Sequence, residues 1–323
     1  MELILTLDVG TTSVKACLFD RQLRQTALTS REYALQTRGV CAEGEAQVYL
    51  DAAAQCILAL PAEARAKVCA VALTTQGETL LCVDRQGKAL RPAIVWLDSR
   101  AEAQAARLAA ALDRQRFYER TGLPELSGAL PLAKLLWLRQ QEPESWARTD
   151  KFLLLEDYLM LWLTGRAVTE KSLLTSTGYF DLQSDDYWDE ALALAELDRT
   201  RLPQALACGS IVGPVLPEVA EALGLPASAC VVTGAMDQTA AALAAGCTRP
   251  GTLCETTGTA MVAAAFTAHP QFSEDHHVTI YRHAMPGAYL YLPISNTIGM
   301  SLRWFRDEFC RDLDGGYAAL DRL

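Results

Sequence analysis

The sequence predicts a mixed α/β protein that opens as an antiparallel meander and continues in alternating apolar runs and alanine-rich helices. Three observations lead there. The stretch "LILTLDVGTTSVKACLFD", residues 3–20, is an apolar run, an acid, a Gly-Thr-Thr turn and a second run with strand alternation at Val14, Ala16 and Leu18. The segment "RAEAQAARLAAAL", residues 100–112, has the composition and period of a helix. Neither GxxxxGK[ST] nor GxGxxG occurs, and a strand rather than a helix follows the first glycine turn, which disfavours P-loop and dinucleotide-binding folds.

In chain order, Leu3 to Leu7 reads as a buried strand, Ser13 to Asp20 as its hairpin partner and Thr26 to Tyr33 as a third strand. Residues 48–59 read as a helix. "KVCAVALTTQGET" is a buried strand ending in a polar cluster, and "TLLCVD" and "RPAIVWLDSR" supply more strand. Residues 113–200 look mainly helical, broken at "TGLPELSG", "EPES" and "LTGRAV". A short apolar strand, Cys230 to Thr233, then runs into Gly-Ala-Met-Asp-Gln. Near Arg249-Pro250-Gly251 a second unit begins. It reads as strand, Thr/Gly turn and strand over "GTLCETTGTAMVAAAF", then a strand over "AYLYLPIS" and a helix over "TIGMSLRWFRDEFCRDL".

At 323 residues there is room for two domains. The formal charge of −10 with no basic stripe argues against a nucleic-acid partner, so a phosphorylated ligand must be held by local devices. The ten cysteines form no CxxC pair and no Cys/His cluster at zinc spacing, as expected of small core residues in a reducing compartment. No apolar stretch reaches about 18 residues and the N-terminus lacks a basic leader, so the expectation is a cytoplasmic protein with no membrane partner.

Four constellations carry chemistry. In the first turn, glycine lets a ligand approach the backbone at Gly10, Thr11 and Thr12 add hydroxyl donors, Lys15 supplies a cation and Asp8 can hold Mg²⁺. The same residues suit an ordinary hairpin. Asp237, at a strand end beside Gln238, can act as a general base or merely cap the following helix. Thr256-Thr257-Gly258-Thr259 is a second phosphate-type turn. Gln76, Gly77 and Glu78, with Trp96, Asp98 and Arg100, place polar groups beside an aromatic, as sugar recognition requires.

Here the blocks "LDVGTTSVKACLFD", "AIVWLDSRAEA", "KLLWLRQQEPE", "GPVLPEVAEALGLP", "GAMDQTAAALAAG" and "TTGTAMV", in consecutive order along nearly the whole chain, resemble the FGGY carbohydrate kinases. The resemblance implies the actin-like ATPase fold of two RNase-H-like lobes: a complete sugar-binding lobe over 1–248, and the start of a nucleotide-binding lobe, left incomplete, over 249–323. It implies ATP-dependent phosphorylation of a sugar or polyol with Mg²⁺ positioned by Asp8. Thr11, Thr12 and Lys15, together with Gly258 and Thr259, would approach the ATP phosphates. Asp237 would be the base beside Gln238, with the acceptor against Gln76, Glu78 and Trp96. Family members run to about five hundred residues, so the resemblance also implies a missing part and, through the apolar faces it would leave exposed, a homodimer or a completing chain, or else a kinase relic that binds a sugar or a partner chain without turnover. A chaperone-type or acyl-phosphate-forming relative of the same fold group is the other alternative, and Gln76 to Glu78 and Trp96 argue against it. Gly77 stands where glycerol kinases carry Arg, the Met-His pair usual in xylulokinases is absent, and Ala129 departs from the signature kept at Lys134 and Trp137.

Overall fold

The computed structural model describes residues 2–257, 261–273, 275, 278–295, 298–310 and 317–320. Its centre is a six-stranded sheet in the order Ile211–Pro214, Cys230–Met236, Val68–Thr75, Leu3–Val9, Ser13–Phe19 and Gln25–Glu32. The meander forms as expected, Leu3–Val9 pairing antiparallel with Ser13–Phe19 and the latter with Gln25–Glu32. Leu3–Val9 also pairs parallel with Val68–Thr75, which pairs parallel with Cys230–Met236. Three strands therefore end together at one edge of the sheet.

Alternation explains how the sheet is held. Leu3, Leu5, Leu7 and Val9 are buried, in one core with Tyr49, Ala53, Cys56 and Ile57 of the helix Ala46–Ala59 and with Leu159, Met160 and Leu163 of the helix Leu155–Thr164. A second core gathers the helices Glu102–Ala111 and Pro131–Gln141, and reaches Cys247, Ala264, Ile280, Tyr281, Leu290 and Leu292. Through it the later part of the chain packs onto the earlier part. That later part is a sheet ordered Leu253–Thr257, Met261–Thr267, Tyr289–Tyr291 and Ile280–Arg282, with Ile294–Ser295 also paired to Met261–Thr267. Thr256 and Thr257 end the first of these strands, while Gly258 and Thr259 of the second phosphate-type turn lie outside the described residues.

The 113–200 stretch is mainly helical, as the sequence predicts, and carries four short strands as well: Lys151–Leu154, Val168–Glu170, Phe180–Asp181 and Asp186–Tyr187. "KFLL" pairs with Leu80–Val83, and a short apolar run carries no periodicity that separates strand from helix. In "RPAIVWLDSR" only Ala93–Ile94 is strand. The chain turns away afterwards because Asp98 binds the Ala42 amide (2.6 Å) and holds Arg100 (2.6 Å), which also pairs with Glu43. Asp98 and Arg100 thus brace the Trp96 loop instead of facing a ligand.

Candidate active site

The parallel strands dictate where chemistry can gather. Across the sheet Asp8 pairs with Thr74, and so does Ala235, so Asp8 and the chain entering Asp237 flank one strand at the same end. Ligands bind in the crevice outside such carboxyl ends in open α/β sheets. The approach to Asp237 is irregular: the register slips between Val232 and Ala235, and a Cβ on Gly234 would lie 1.4 Å from the Leu73 carbonyl oxygen. Only glycine permits that approach. Glu156 Oε1 accepts from the Gly234 amide (3.1 Å) and Ser172 Oγ from the Met236 amide (3.2 Å). Asp237 is then the first residue of the helix Asp237–Ala244, one past the N-cap Met236. Its Oδ1 accepts only the adjacent Gln238 amide (2.6 Å) among the hydrogen bonds described, so it does not cap the helix.

A cavity of about 260 Å³ lies at this edge. Thr11, Gln76, Gly77, Glu78, Trp96, Asp237 and Gln238 line it together with Met236, and Val262, Tyr281, Leu292 and Ile294 complete it. The sequence-predicted acceptor residues therefore converge with the candidate base and with one residue of the first turn. Trp96 Nε1 donates to Thr11 Oγ1 (2.9 Å), tying the aromatic to that turn. Asp8, Gly10, Thr12 and Lys15 lie beyond the lining. Lys15 Nζ reaches Asp8 Oδ2 at 3.3 Å across the hairpin. The Gly10 amide closes the hairpin onto Ser13 O (3.0 Å), so that donor is committed within the turn, and Thr12 O accepts from the Tyr33 amide (2.9 Å).

Electrostatics mark the same residues. Burial pushes the Asp237 carboxyl up to about 6, the Gln238 amide opposing and the Asp8 charge assisting. Burial also raises Glu78, against the Ser176 hydroxyl and the Lys134 ammonium and with help from Asp237. Glu78 sits at φ +50° in a three-residue turn closed by the Thr79 amide on Gly77 O (2.7 Å), the rarer and strained kind. Gln76 is 3 % exposed; it lies near the Tyr49 hydroxyl, yet neither of its amide atoms makes a hydrogen bond of ordinary geometry. A buried amide with four unmet bonding positions is built to meet something in the cavity.

Residues that sequence reasoning missed surround Glu78. Tyr281, from the later sheet, and Ser176 reach its carboxyl, and Lys134, which the sequence marks only as part of a signature, is fully buried behind it. Lys134 Nζ donates to Val95 O (2.9 Å), and burial lowers its ammonium to about 8 while Glu78 opposes the drop. Trp137 of the same helix stacks under Arg100 (4.9 Å), so the Lys134–Trp137 signature supports the loop that carries Trp96. A larger cleft of about 730 Å³ beside Lys171 and Asp185 is lined by charges paired among themselves, Lys171 with Asp185 (2.5 Å) and Arg199 with Asp186. It offers a ligand little.

Comparison with known proteins identifies the family and the fold. The FGGY family of carbohydrate kinases, N-terminal domain, matches residues 3–244. The xylulose kinase of Lactococcus lactis subsp. lactis (strain IL1403) is 30% identical over 318 residues, 97% of this chain and 63% of that protein. The gluconokinase of Bacillus subtilis (strain 168) is 27% identical over 95% of this chain and 60% of its own length. Among solved structures, a xylulose kinase from Rhodospirillum rubrum superposes with a TM-score of 0.90 at 28% identity, covering 99% of this chain and 66% of that one. The chain thus spans somewhat under two thirds of the length of the curated relatives it matches. Its fold is that of the actin-like sugar kinases, and the chain belongs to the FGGY family of carbohydrate kinases.

Proposed function

We propose that this chain supplies the acceptor pocket and the proton acceptor of an ATP-dependent carbohydrate kinase, transferring the γ-phosphoryl group to a sugar or polyol hydroxyl. The observation that carries the proposal is the convergence of Gln76, Glu78, Trp96, Asp237 and Thr11 on one small cavity at the ends of parallel strands. In phosphoryl transfer the protein mainly positions groups and balances charge, while one carboxylate takes the nucleophile's proton. Asp237 suits that role, since a carboxyl at about 6 is mostly ionised at neutral pH yet more basic than a free aspartate. Gln76, Glu78 and Gln238 orient the hydroxyls, and Trp96 gives a flat face.

Among the described residues no group of three or more His, Cys, Asp or Glu side chains is disposed to enclose a metal. Mg²⁺ bound with a nucleotide needs no such cage, since one or two carboxylates plus phosphates and water suffice. Asp8, 40% exposed at its strand end, fits that role, and Lys15 and the Thr11-Thr12 turn fit the phosphates. When bound, Mg-ATP supplies the phosphoryl donor. The lobe assignment of 1–248 and 249–323 belongs to the same reading, as do a cytoplasmic setting and a partner, a second copy or a completing chain. None of the helices described is long and apolar enough to cross a membrane.

The proposal is tested by ADP release across a panel of sugars and polyols, in parallel with acceptor binding. Turnover that disappears in Asp237→Asn while binding persists supports it. Turnover unaffected by that substitution overturns it.

A further inference from the structure

Resting on the acceptor pocket proposed above, we infer that the acceptor is a polyhydroxy compound that carries no carboxylate, so that sugar acids of the aldonate class are excluded. The lining divides by chemistry. Gln76, Glu78, Asp237 and Gln238 form a polar side, while Met236, Val262, Leu292 and Ile294 offer hydrocarbon. Such a cavity takes a compound whose hydroxyls meet the amides and carboxylates while its C–H edge rests on the aliphatic wall. At about 260 Å³ it lies just below the roughly 300–1,000 Å³ of sites for drug-sized ligands.

Charge decides the rest. No Lys, Arg or His stands among the described lining residues. The cation behind the wall, Lys134, is fully buried and donates to Val95 O; its charge acts on Glu78 from outside the cavity. Lys15, on the first hairpin, faces Asp8. A ligand carboxylate would therefore enter a partly dry cavity beside Asp237 with no donor cation to receive it. An ammonium group meets no such repulsion, since Asp237 faces no cation among the described residues, so an amino-alditol reports the sign of the field in the cavity. The gluconokinase relative makes the distinction sharp, because family membership alone leaves both kinds of acceptor open.

The experiment is titration calorimetry of the full chain with matched pairs that differ only at one end, xylitol against xylonate and glucitol against gluconate, with an amino-alditol as a third arm. A carboxylate about 6 Å from Asp237 at an effective dielectric near 20 loses about a hundredfold in affinity, which is about 2.7 kcal/mol. The alditol of at least one pair is expected to bind about a hundredfold more tightly than its acid. Asp237→Asn removes the charge from which that gap is worked and is expected to close most of it, while Glu78→Gln is expected to narrow it about tenfold; either variant suffices if the other fails to fold. An acid that binds as tightly as its neutral partner overturns the inference, and so does an amino-alditol that binds as weakly as the acid, or a failure of every neutral compound to bind. ADP release read in parallel keeps the two proposals apart. Neutral-selective binding without turnover removes the phosphotransfer reading alone, whereas turnover on an aldonate removes this one alone.

Discussion

Replacing Asp237 by Asn is expected to stabilise the chain at neutral pH while removing its proposed chemistry. Burial raises this carboxyl from an ordinary 3.8 to about 6. Its ionised form is therefore worth less to the folded state than to the unfolded chain. Below about pH 4 the group is protonated in both states and there is no penalty. As pH rises from about 4 to about 6 the unfolded chain releases the proton first, and stability falls. Above about 6 the loss is complete, at about 3 kcal/mol. Asn carries no such charge and its Oδ1 still accepts the Gln238 amide, though a neutral acceptor makes that bond weaker by about 1 kcal/mol. The net gain at pH 7 is about 2 kcal/mol. Urea titration of both proteins at pH 4 and pH 7 measures it, as a difference in midpoint at unchanged slope. The advantage should vanish at pH 4. A variant less stable than the parent at pH 7, or a difference independent of pH, would refute the assignment of a buried, uncompensated carboxylate at this position.

Gly234→Ala is expected to cost about 3 kcal/mol or more, because the added carbon falls 1.4 Å from Leu73 O and the strands must part. Urea denaturation checks it, and unchanged stability would show that the close approach is not real. Trp96→Phe removes the 2.9 Å bond to Thr11 from a residue 38% exposed. Stability should move by less than about 1 kcal/mol, while acceptor affinity by calorimetry should fall several-fold. Glu156→Gln tests a buried acidic group outside the pocket. Burial holds Asp157 at about 8 and Glu170 at about 7, and raises Glu156 well above the usual range. The folded state keeps protons that the unfolded chain releases from about pH 4, so stability should decline as the pH rises above about 4. The Gln variant keeps an acceptor for the Gly234 amide and should flatten part of that decline; an identical slope in thermal or urea unfolding would contradict it.

Whatever local pattern controls is legible in the sequence. The hairpin around Gly10 can be read because alternation on both sides leaves its register no alternative. Asp237 stands out because an apolar strand runs straight into an acid and then into an alanine-rich helix. The contacts that join remote segments are illegible. Nothing near Glu78 in sequence announces Ser176, Tyr281 or Lys134, which the fold delivers from two helical regions and the later sheet. Asp98 and Arg100 look like ligand contacts for their polarity, and only the structure reveals that they answer each other and Glu43. Lys151–Leu154 reads as helix because its pairing partner, Leu80–Val83, is supplied by a distant part of the chain.

The same remoteness explains why two carboxylates tolerate an apolar cavity. Neither Asp237 nor Glu78 has a salt bridge among the described residues, and a carboxyl group so placed is a liability for stability. A purely structural carboxylate would be expected to sit as Asp98 does, with Arg100 and the Ala42 amide closing on it. Asp237 instead accepts one neighbouring amide, and Glu78 is held at a strained φ of +50°. The basicity of Asp237 comes from the wall that covers it, and part of that wall is Val262 and Tyr281 of the later sheet and Leu292 just after its strand Tyr289–Tyr291. It follows that the proton affinity of the proposed base is set jointly by both parts of the chain. Enlarging the cavity with Leu292→Ala should admit water and return the Asp237 carboxyl toward 3.8. The pH dependence of acceptor binding, followed in wild type and variant, should then shift to lower pH. A profile that does not move would place the source of the raised proton affinity elsewhere, in the Asp8 charge.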